Sequence, residues 1–276
     1  MYSTLISPTE LTPHLGDPRW VVVDCRFDLA NPAWGEEQYL AGHIPGARYA
    51  HLDRDLSGAK TGTNGRHPLP TLDEMSARFG ALGIGADTQV VACDQDSGIY
   101  AARLWWMLRF LGHDAVAVLD GGFARWIAEG GAVEAGQVRP APATFAAAPR
   151  AAWRLTVEQV AAGGHRLLVD ARSPERFRGE NETIDKVGGH IPGACNHFFQ
   201  HNLTADMRFK TADQLRQEWE ADLGSTAPAD VVMYCGSGVT ACHNLLALEV
   251  AGLSGARIFP GSWSEWSANP NRPVER

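Results

Sequence analysis

The sequence reads VVVDCR at residues 21–26 and LLVDAR at residues 167–172. Each run is short and apolar and ends in Asp-x-Arg, which is typical of a buried strand in a parallel sheet. A second motif, GHIPGA, follows at residues 42–47 and returns at residues 189–194. Two motifs that recur in the same order indicate that the chain contains two copies of one unit.

Two further features complete the repeat. An apolar strand is predicted at residues 89–94 (QVVACD) and again at residues 230–235 (DVVMYC), and Ser-Gly and a helical pattern follow each one. Each copy then ends with a glycine and, four or five positions later, a tryptophan: Gly122 and Trp126 in the first copy, and Gly261 and Trp266 in the second. Strands that alternate with helices at this spacing predict an α/β fold with parallel β-sheets flanked by helices.

The repeat also predicts the domain boundaries. We expect an N-terminal domain at residues 1–135 and a C-terminal domain at residues 154–276. Residues 136–153 are rich in alanine and proline and lack an amphipathic period, so they are predicted to form an extended linker. The length of 276 residues suits two such domains.

Net charge and hydropathy exclude some classes of binding partner and indicate the cellular compartment. The net charge of -8 argues against a nucleic acid or an anionic membrane as a partner. The N-terminus has no basic start followed by an apolar stretch, so we expect no secretory signal. The most apolar segment, residues 104–119, carries charged residues and is too short to span a bilayer. These patterns favour a cytoplasmic protein.

Five cysteines are present, an odd number without CxxC spacing, which argues against a disulfide framework or a structural zinc site. A reducing compartment, in which a thiol stays free, fits this pattern. None of the ten histidines has the spacing of metal ligands, so we expect no metal.

Cys235 is the candidate nucleophile. It ends a predicted strand, and Gly236-Ser237-Gly238-Val239-Thr240 leads from it into a helix. The glycines let main-chain N–H groups turn toward the sulfur, and the helix dipole adds positive potential. Both effects stabilise a thiolate or a persulfide. The other four cysteines (25, 93, 195 and 242) are predicted to be small apolar residues.

Two other interpretations of this loop fail. Gly236-x-Gly238-x-x-Ala241 resembles a dinucleotide fingerprint, but that motif usually lies in the first βαβ unit of a domain, and Glu249 follows too early to hold a ribose. A cysteine phosphatase needs an arginine that closes the loop on phosphate. Here Ala241 and Cys242 occupy those positions.

The motifs Asp-x-Arg, His-Ile-Pro-Gly-Ala, Cys-Gly-Ser-Gly-Val-Thr and Gly-Ser-Trp-x-Glu-Trp resemble those of tandem rhodanese-domain sulfurtransferases over essentially the whole chain. The resemblance implies a persulfide on Cys235, and because this chemistry requires no cofactor we expect none. The loop is similar to that of 3-mercaptopyruvate sulfurtransferases, whereas thiosulfate sulfurtransferases usually carry Arg and Lys after the cysteine. In the first copy Asp94 ends the equivalent strand, which predicts a non-catalytic domain.

The same resemblance implies the supporting residues. Asp53, His67 and Ser237 would form a proton relay, with the alternative that Asp53 is a turn residue and His67 a loop histidine. Arg176 would bind the donor carboxylate, with the alternative of a solvated helix charge. A second arginine usual in the family is replaced here by a segment in which Lys186 is the candidate cation.

We therefore expect a sulfurtransferase that moves sulfur from a small anionic donor, 3-mercaptopyruvate, to a thiol, a thioredoxin-like dithiol or cyanide. The loop residues Gly236, Gly238, Val239 and Thr240 would contact the substrate. Two alternatives remain open. Thiosulfate could be the donor with the same nucleophile, or the chain could be a persulfide relay that serves one partner without turnover of small donors.

Overall fold

A computed structural model of the protein describes residues 1–164 and 166–276. Two compact units are present. The first unit comprises Met1–Gly58, Pro70–Arg150 and Ala205–Phe209, and the second comprises Ala59–Leu69, Ala151–Thr204 and Lys210–Arg276. Each unit therefore contains one short segment that the sequence repeat assigns to the other half of the chain.

The first unit contains a five-stranded parallel sheet. In spatial order its strands are β1 (Leu5–Ile6), β5 (Val116–Leu119), β4 (Gln89–Cys93), β2 (Trp20–Asp24) and β3 (Arg48–Tyr49). Its helices are α1 (Pro8–Leu11), α2 (Trp34–Ala41), α3 (Leu72–Ala81), α4 (Ile99–Phe110) and α5 (Gly122–Ala128), with a 3-10 turn at Thr12–His14. A Thr71–Glu74 capping box begins α3.

The second unit contains a four-stranded parallel sheet. In spatial order its strands are β7 (Cys195–Asn196), β6 (Leu167–Asp170), β8 (Val231–Tyr234) and β9 (Arg257–Ile258). Its helices are α6 (Val157–Ala161), α7 (Pro174–Phe177), α8 (Ala212–Leu223), α9 (Thr240–Val250) and α10 (Ser262–Trp266). Three 3-10 turns lie at Ala151–Trp153, Phe199–Asn202 and Pro228–Asp230.

The two sheets share one topology. The order β9-β8-β6-β7 repeats the order β5-β4-β2-β3, and Arg154 forms a parallel bridge with Ile258 where β1 pairs with β5 in the first unit. The predicted α/β fold with two parallel sheets flanked by helices is confirmed.

The Asp-x-Arg motif links each central strand to the GHIPGA motif. Arg26 forms a 2.6 Å ion pair with Asp24, and Arg172 forms a 2.7 Å ion pair with Asp170. Each arginine also donates to the carbonyl of the first glycine of GHIPGA, at 2.6 and 2.7 Å. All four side chains are buried, and a buried ion pair is stable only when its remaining groups are also hydrogen bonded. These motifs are structural.

Residues 136–150 lie along the first unit as irregular chain. The N–H groups of Ala143, Ala148 and Arg150 donate to main-chain carbonyls of α3 and of the end of α4. Trp126 and Trp266 lie in the hydrophobic cores of their units, as their repeated position predicts. Among the described residues, no helix is long and apolar enough to cross a membrane.

Candidate active site

Cys235 follows β8 directly, and four residues separate it from the first turn of α9. The residue is 2% exposed, and the main-chain N–H of Gly238 donates to its sulfur at 3.1 Å. Its own N–H donates to the hydroxyl of Ser262 at 3.1 Å, and its carbonyl accepts from Trp263 at 2.9 Å. The loop is therefore fixed to the start of α10, with one N–H directed at the sulfur.

Gly238 makes this loop conformation possible. Its φ is +77°, and a Cβ atom at this position would lie 2.2 Å from the carbonyl oxygen of Pro260. Only glycine satisfies both the left-handed backbone and the close approach.

Replacing Gly238 by alanine is expected to destabilise the protein by at least about 1–2 kcal/mol, the cost of the left-handed conformation, and by more because of the clash. Gly193→Ala is the matched control, because Gly193 has a φ of +75° and no atom within 4 Å of its would-be Cβ. Urea unfolding of both variants separates backbone strain from the clash. Equal losses of stability would show that the Pro260 contact contributes nothing.

Two of the predicted relay residues lie together in the second unit. The Nδ1 atom of His67 is 2.7 Å from the hydroxyl oxygen of Ser237, and both side chains are buried. His67 reaches the loop because the segment Ala59–Leu69 belongs to this unit. Asp53 belongs to the first unit, where its main-chain N–H donates to Nδ1 of His51 at 3.0 Å. Its place in the relay stays a prediction.

Arg176, in α7, is held by two carboxylates. Its Nε donates to Glu182 at 3.0 Å, and its Nη2 donates to Asp185 at 3.1 Å. Burial raises the pKa of Glu182, but the hydrogen bonds from Arg176 and from the N–H groups of Asp185 and Ile184 outweigh it and lower this pKa. Arg176 is 19% exposed, so it is not a solvated surface charge.

Lys186 is exposed, and it forms no hydrogen bond or ion pair with any residue in the described part of the chain. Besides Arg176, the structure places Arg66 beside the loop, a residue that the sequence analysis did not single out. A Cβ atom at position 236 would lie 2.7 Å from Nη2 of Arg66. The one signal in the sequence was that Arg66 adjoins His67, which the resemblance had already placed near Ser237.

The equivalent loop of the first unit contains a carboxylate instead of a thiol. Asp94 follows β4 and is 1% exposed, and it accepts the N–H groups of Gly98 at 2.9 Å, Tyr100 at 2.8 Å and Ala101 at 3.3 Å. Burial raises the pKa of Asp94 to about 6. Cys93, one residue earlier, is fully buried, and burial raises the pKa of its thiol well above the usual value. The carboxylate of Asp94 thus accepts the N–H groups of its own loop, and the absence of catalysis in this unit stays a prediction.

The remaining cysteines are less suited to chemistry than Cys235. Burial raises the pKa of Cys25 well above the usual value and that of Cys195 to about 11. Cys242, inside α9, donates to the carbonyl of Gly238 at 3.3 Å. Across residues 1–164 and 166–276, no three His, Cys, Asp or Glu side chains are grouped to hold a metal ion. His165, one of the ten histidines, lies outside the described residues.

A cysteine that directly follows a parallel strand, accepts a main-chain N–H and adjoins a buried Ser–His pair is an arrangement suited to an enzyme that binds a substrate group covalently to sulfur. Comparison with known proteins agrees. Residues 7–129 and 156–269 each match the Rhodanese-like domain. The chain belongs to the rhodanese family of tandem-domain sulfurtransferases.

Three proteins illustrate the similarity. A "Probable 3-mercaptopyruvate sulfurtransferase" of Pseudomonas aeruginosa is 45% identical over 275 residues, which cover 98% of this chain and 97% of the relative. The thiosulfate sulfurtransferase of Bos taurus is 38% identical over 254 residues, covering 89% and 84%. The structure of 3-mercaptopyruvate sulfurtransferase from Leishmania major has a TM-score of 0.86 and 30% identity, covering 96% of this chain and 74% of that one.

Proposed function

We propose that this sulfurtransferase carries sulfur as a persulfide on Cys235 and takes it from 3-mercaptopyruvate. The observation that supports this donor is the 2.7 Å contact between His67 and Ser237, two residues after the cysteine. A pyruvate enolate that leaves from sulfur needs a proton, and a serine hydroxyl next to a histidine can supply it. Sulfite, which thiosulfate would release, leaves as a stable anion.

The first half-reaction is a displacement at the donor sulfur. The thiolate of Cys235 attacks this sulfur, a sulfur–sulfur bond forms and the carbon–sulfur bond breaks. The electron pair of the broken bond stays on carbon as the enolate. Ser237 donates its proton to that carbon and is reprotonated through His67, which gives pyruvate. The N–H of Gly238 stabilises the sulfur of Cys235 while it is negatively charged.

The second half-reaction removes the outer sulfur. A thiol, a thioredoxin-like dithiol or cyanide attacks it, and the electron pair of the sulfur–sulfur bond returns to Cys235 as a thiolate. No disulfide joins any of the described cysteines, which supports a reducing, cytoplasmic location for this chemistry. The first unit, with Asp94 in place of a thiol, is proposed to be non-catalytic.

Wild-type protein is expected to use 3-mercaptopyruvate at least about tenfold better than thiosulfate, which corresponds to about 1.4 kcal/mol of transition-state stabilisation. The reason is that the loop offers Ser237 as a proton donor but carries no cation of its own for a dianion. Steady-state kcat/KM for both donors, with one acceptor and one preparation, measures the ratio.

A preference for thiosulfate would assign the chain to the alternative donor and leave Cys235 as the nucleophile. Persulfide formation without turnover of either donor would favour a relay that serves one protein partner. A reduced thioredoxin-like acceptor added to the same assay distinguishes this relay from an inactive preparation.

A further inference from the structure

Two guanidinium groups lie beside Gly236, the residue after the proposed nucleophile. A Cβ atom at this position would lie 2.7 Å from Nη2 of Arg66 and 3.4 Å from Nη2 of Arg176. The carboxylate of Asp185 joins the two groups, since one of its oxygens accepts from Arg66 and the other accepts from Arg176 at 3.1 Å. The side chain of Asp185 is 5% exposed, so its carboxylate is largely shielded from water.

The backbone fixes Arg66 in this place. Its main-chain N–H donates to the hydroxyl of Ser264 at 3.0 Å, and the next residue, His67, contacts Ser237. Consecutive residues of one segment thus lie against consecutive residues of the loop: Arg66 at Gly236 and His67 at Ser237. The Nη2 atom of Arg66 has no acceptor among the residues that the structure describes, so it faces the loop as an available donor.

The formal charges of the ionised side chains around Gly236 sum to zero. Three arginines and three carboxylates form one connected network: Arg66, Arg172, Arg176, Asp170, Glu182 and Asp185. A donor that approaches Gly236 therefore meets guanidinium N–H groups in a network without net positive charge. Such a site suits one carboxylate better than a dianion, because each added negative charge loses solvation and gains little Coulomb attraction.

We propose that Arg66 and Arg176 together bind the anionic end of the sulfur donor, and that Asp185 determines the donor charge that the site accepts. Arg66 takes the part of the second arginine that the sequence lacks near Lys186. Asp185 is a positioning and specificity-determining residue, because it holds both guanidinium groups while it removes one unit of positive charge. The inference rests on the proposed function, in which the donor reacts at Cys235.

Arg66→Ala is expected to raise KM about 10–100-fold for both donors, the effect of one charge-assisted hydrogen bond, and to change kcat much less. Arg66→Lys should recover part of the loss, because an ammonium group offers charge without the planar pair of donors. Arg178→Ala is the matched control, since Arg178, just after α7, forms an exposed ion pair with Glu180. An unchanged KM in folded Arg66→Ala would overturn the role of Arg66.

Asp185→Asn is expected to shift the ratio of kcat/KM for thiosulfate over that for 3-mercaptopyruvate upward by about tenfold, because the added positive charge attracts a dianion more strongly. Glu180→Gln makes the same carboxylate-to-amide change at an exposed position and should leave the ratio unchanged. A melting curve shows that each variant is folded. A wild-type ratio in folded Asp185→Asn would overturn the role of Asp185.

The double variant Arg66→Gln/Asp185→Asn removes one charge of each sign. If Asp185→Asn alone does not fold, this variant tests whether net charge controls the donor preference. It is expected to keep the wild-type donor ratio while KM rises, and a shifted ratio would contradict control by net charge. These outcomes are independent of the donor proposed above. If the wild type prefers thiosulfate, the proposed donor is wrong, yet the change of ratio on Asp185→Asn still tests this inference.

Discussion

Cys235→Ser is expected to lose sulfurtransferase turnover by more than about 10⁴-fold, the scale on which removal of a covalent nucleophile acts. A hydroxyl at this position cannot form the persulfide that both half-reactions share. Intact mass spectrometry after incubation with 3-mercaptopyruvate should show one added sulfur atom on the wild type and none on the variant. Peptide mapping should place that sulfur on Cys235.

The first unit offers the control for this experiment. Cys93→Ala removes the cysteine nearest to the equivalent loop and should leave both the rate and the added sulfur unchanged. This follows because Cys93 is fully buried and burial raises its thiol pKa well above the usual value. Sulfur found on Cys93, or a normal rate in Cys235→Ser, would refute the proposed site.

The repeated architecture could be predicted from the sequence because the repeated motifs form buried, local contacts in each unit. Asp24 and Arg26 recur as Asp170 and Arg172, and each pair links a central strand to the following GHIPGA segment. A motif that satisfies its own hydrogen bonds locally can be recognised without knowledge of the rest of the fold. The same locality explains the prediction of the Cys235 loop, whose N–H to sulfur contact spans three residues.

Arg66 could not be predicted in this way. Its segment, Ala59–Leu69, contains no helix or strand and no hydrophobic period, yet it packs in the second unit, nearly two hundred residues from Ser264 along the chain. The resemblance supplied His67 and did not supply its neighbour. Contacts of this kind depend on tertiary packing, and a single sequence contains no periodic signal for them.

The segment after α7 shows a similar limit. The family resemblance implied a missing arginine, with Lys186 as the candidate replacement, but the sequence could not show that Asp185 lies inward while Lys186 lies exposed. Irregular segments have no fixed alternation of side chains, so the orientation of consecutive residues is set by the groups they meet. Here Arg66 and Arg176 both reach Asp185, and this contact orders the segment.

The second large effect concerns the proton that the enolate requires. Ser237→Ala is expected to lower kcat/KM for 3-mercaptopyruvate by about 10²–10⁴-fold, the usual contribution of a positioned acid or base. The loss with thiosulfate should be much smaller, because sulfite departs without a proton. His67→Gln should show the same selectivity for the donor, since His67 acts through the hydroxyl of Ser237.

Parallel kinetics with both donors distinguish proton transfer from damage to the loop. Ser267→Ala is the control, because Ser267 lies just after α10 and its hydroxyl donates only to the carbonyl of Trp263 among the contacts described. If Ser237→Ala lowers kcat/KM equally for both donors, the hydroxyl stabilises the sulfur of Cys235 and does not protonate the leaving group. Selective loss of 3-mercaptopyruvate turnover in both variants would instead identify Ser237 and His67 as the path of the proton, and with it the donor.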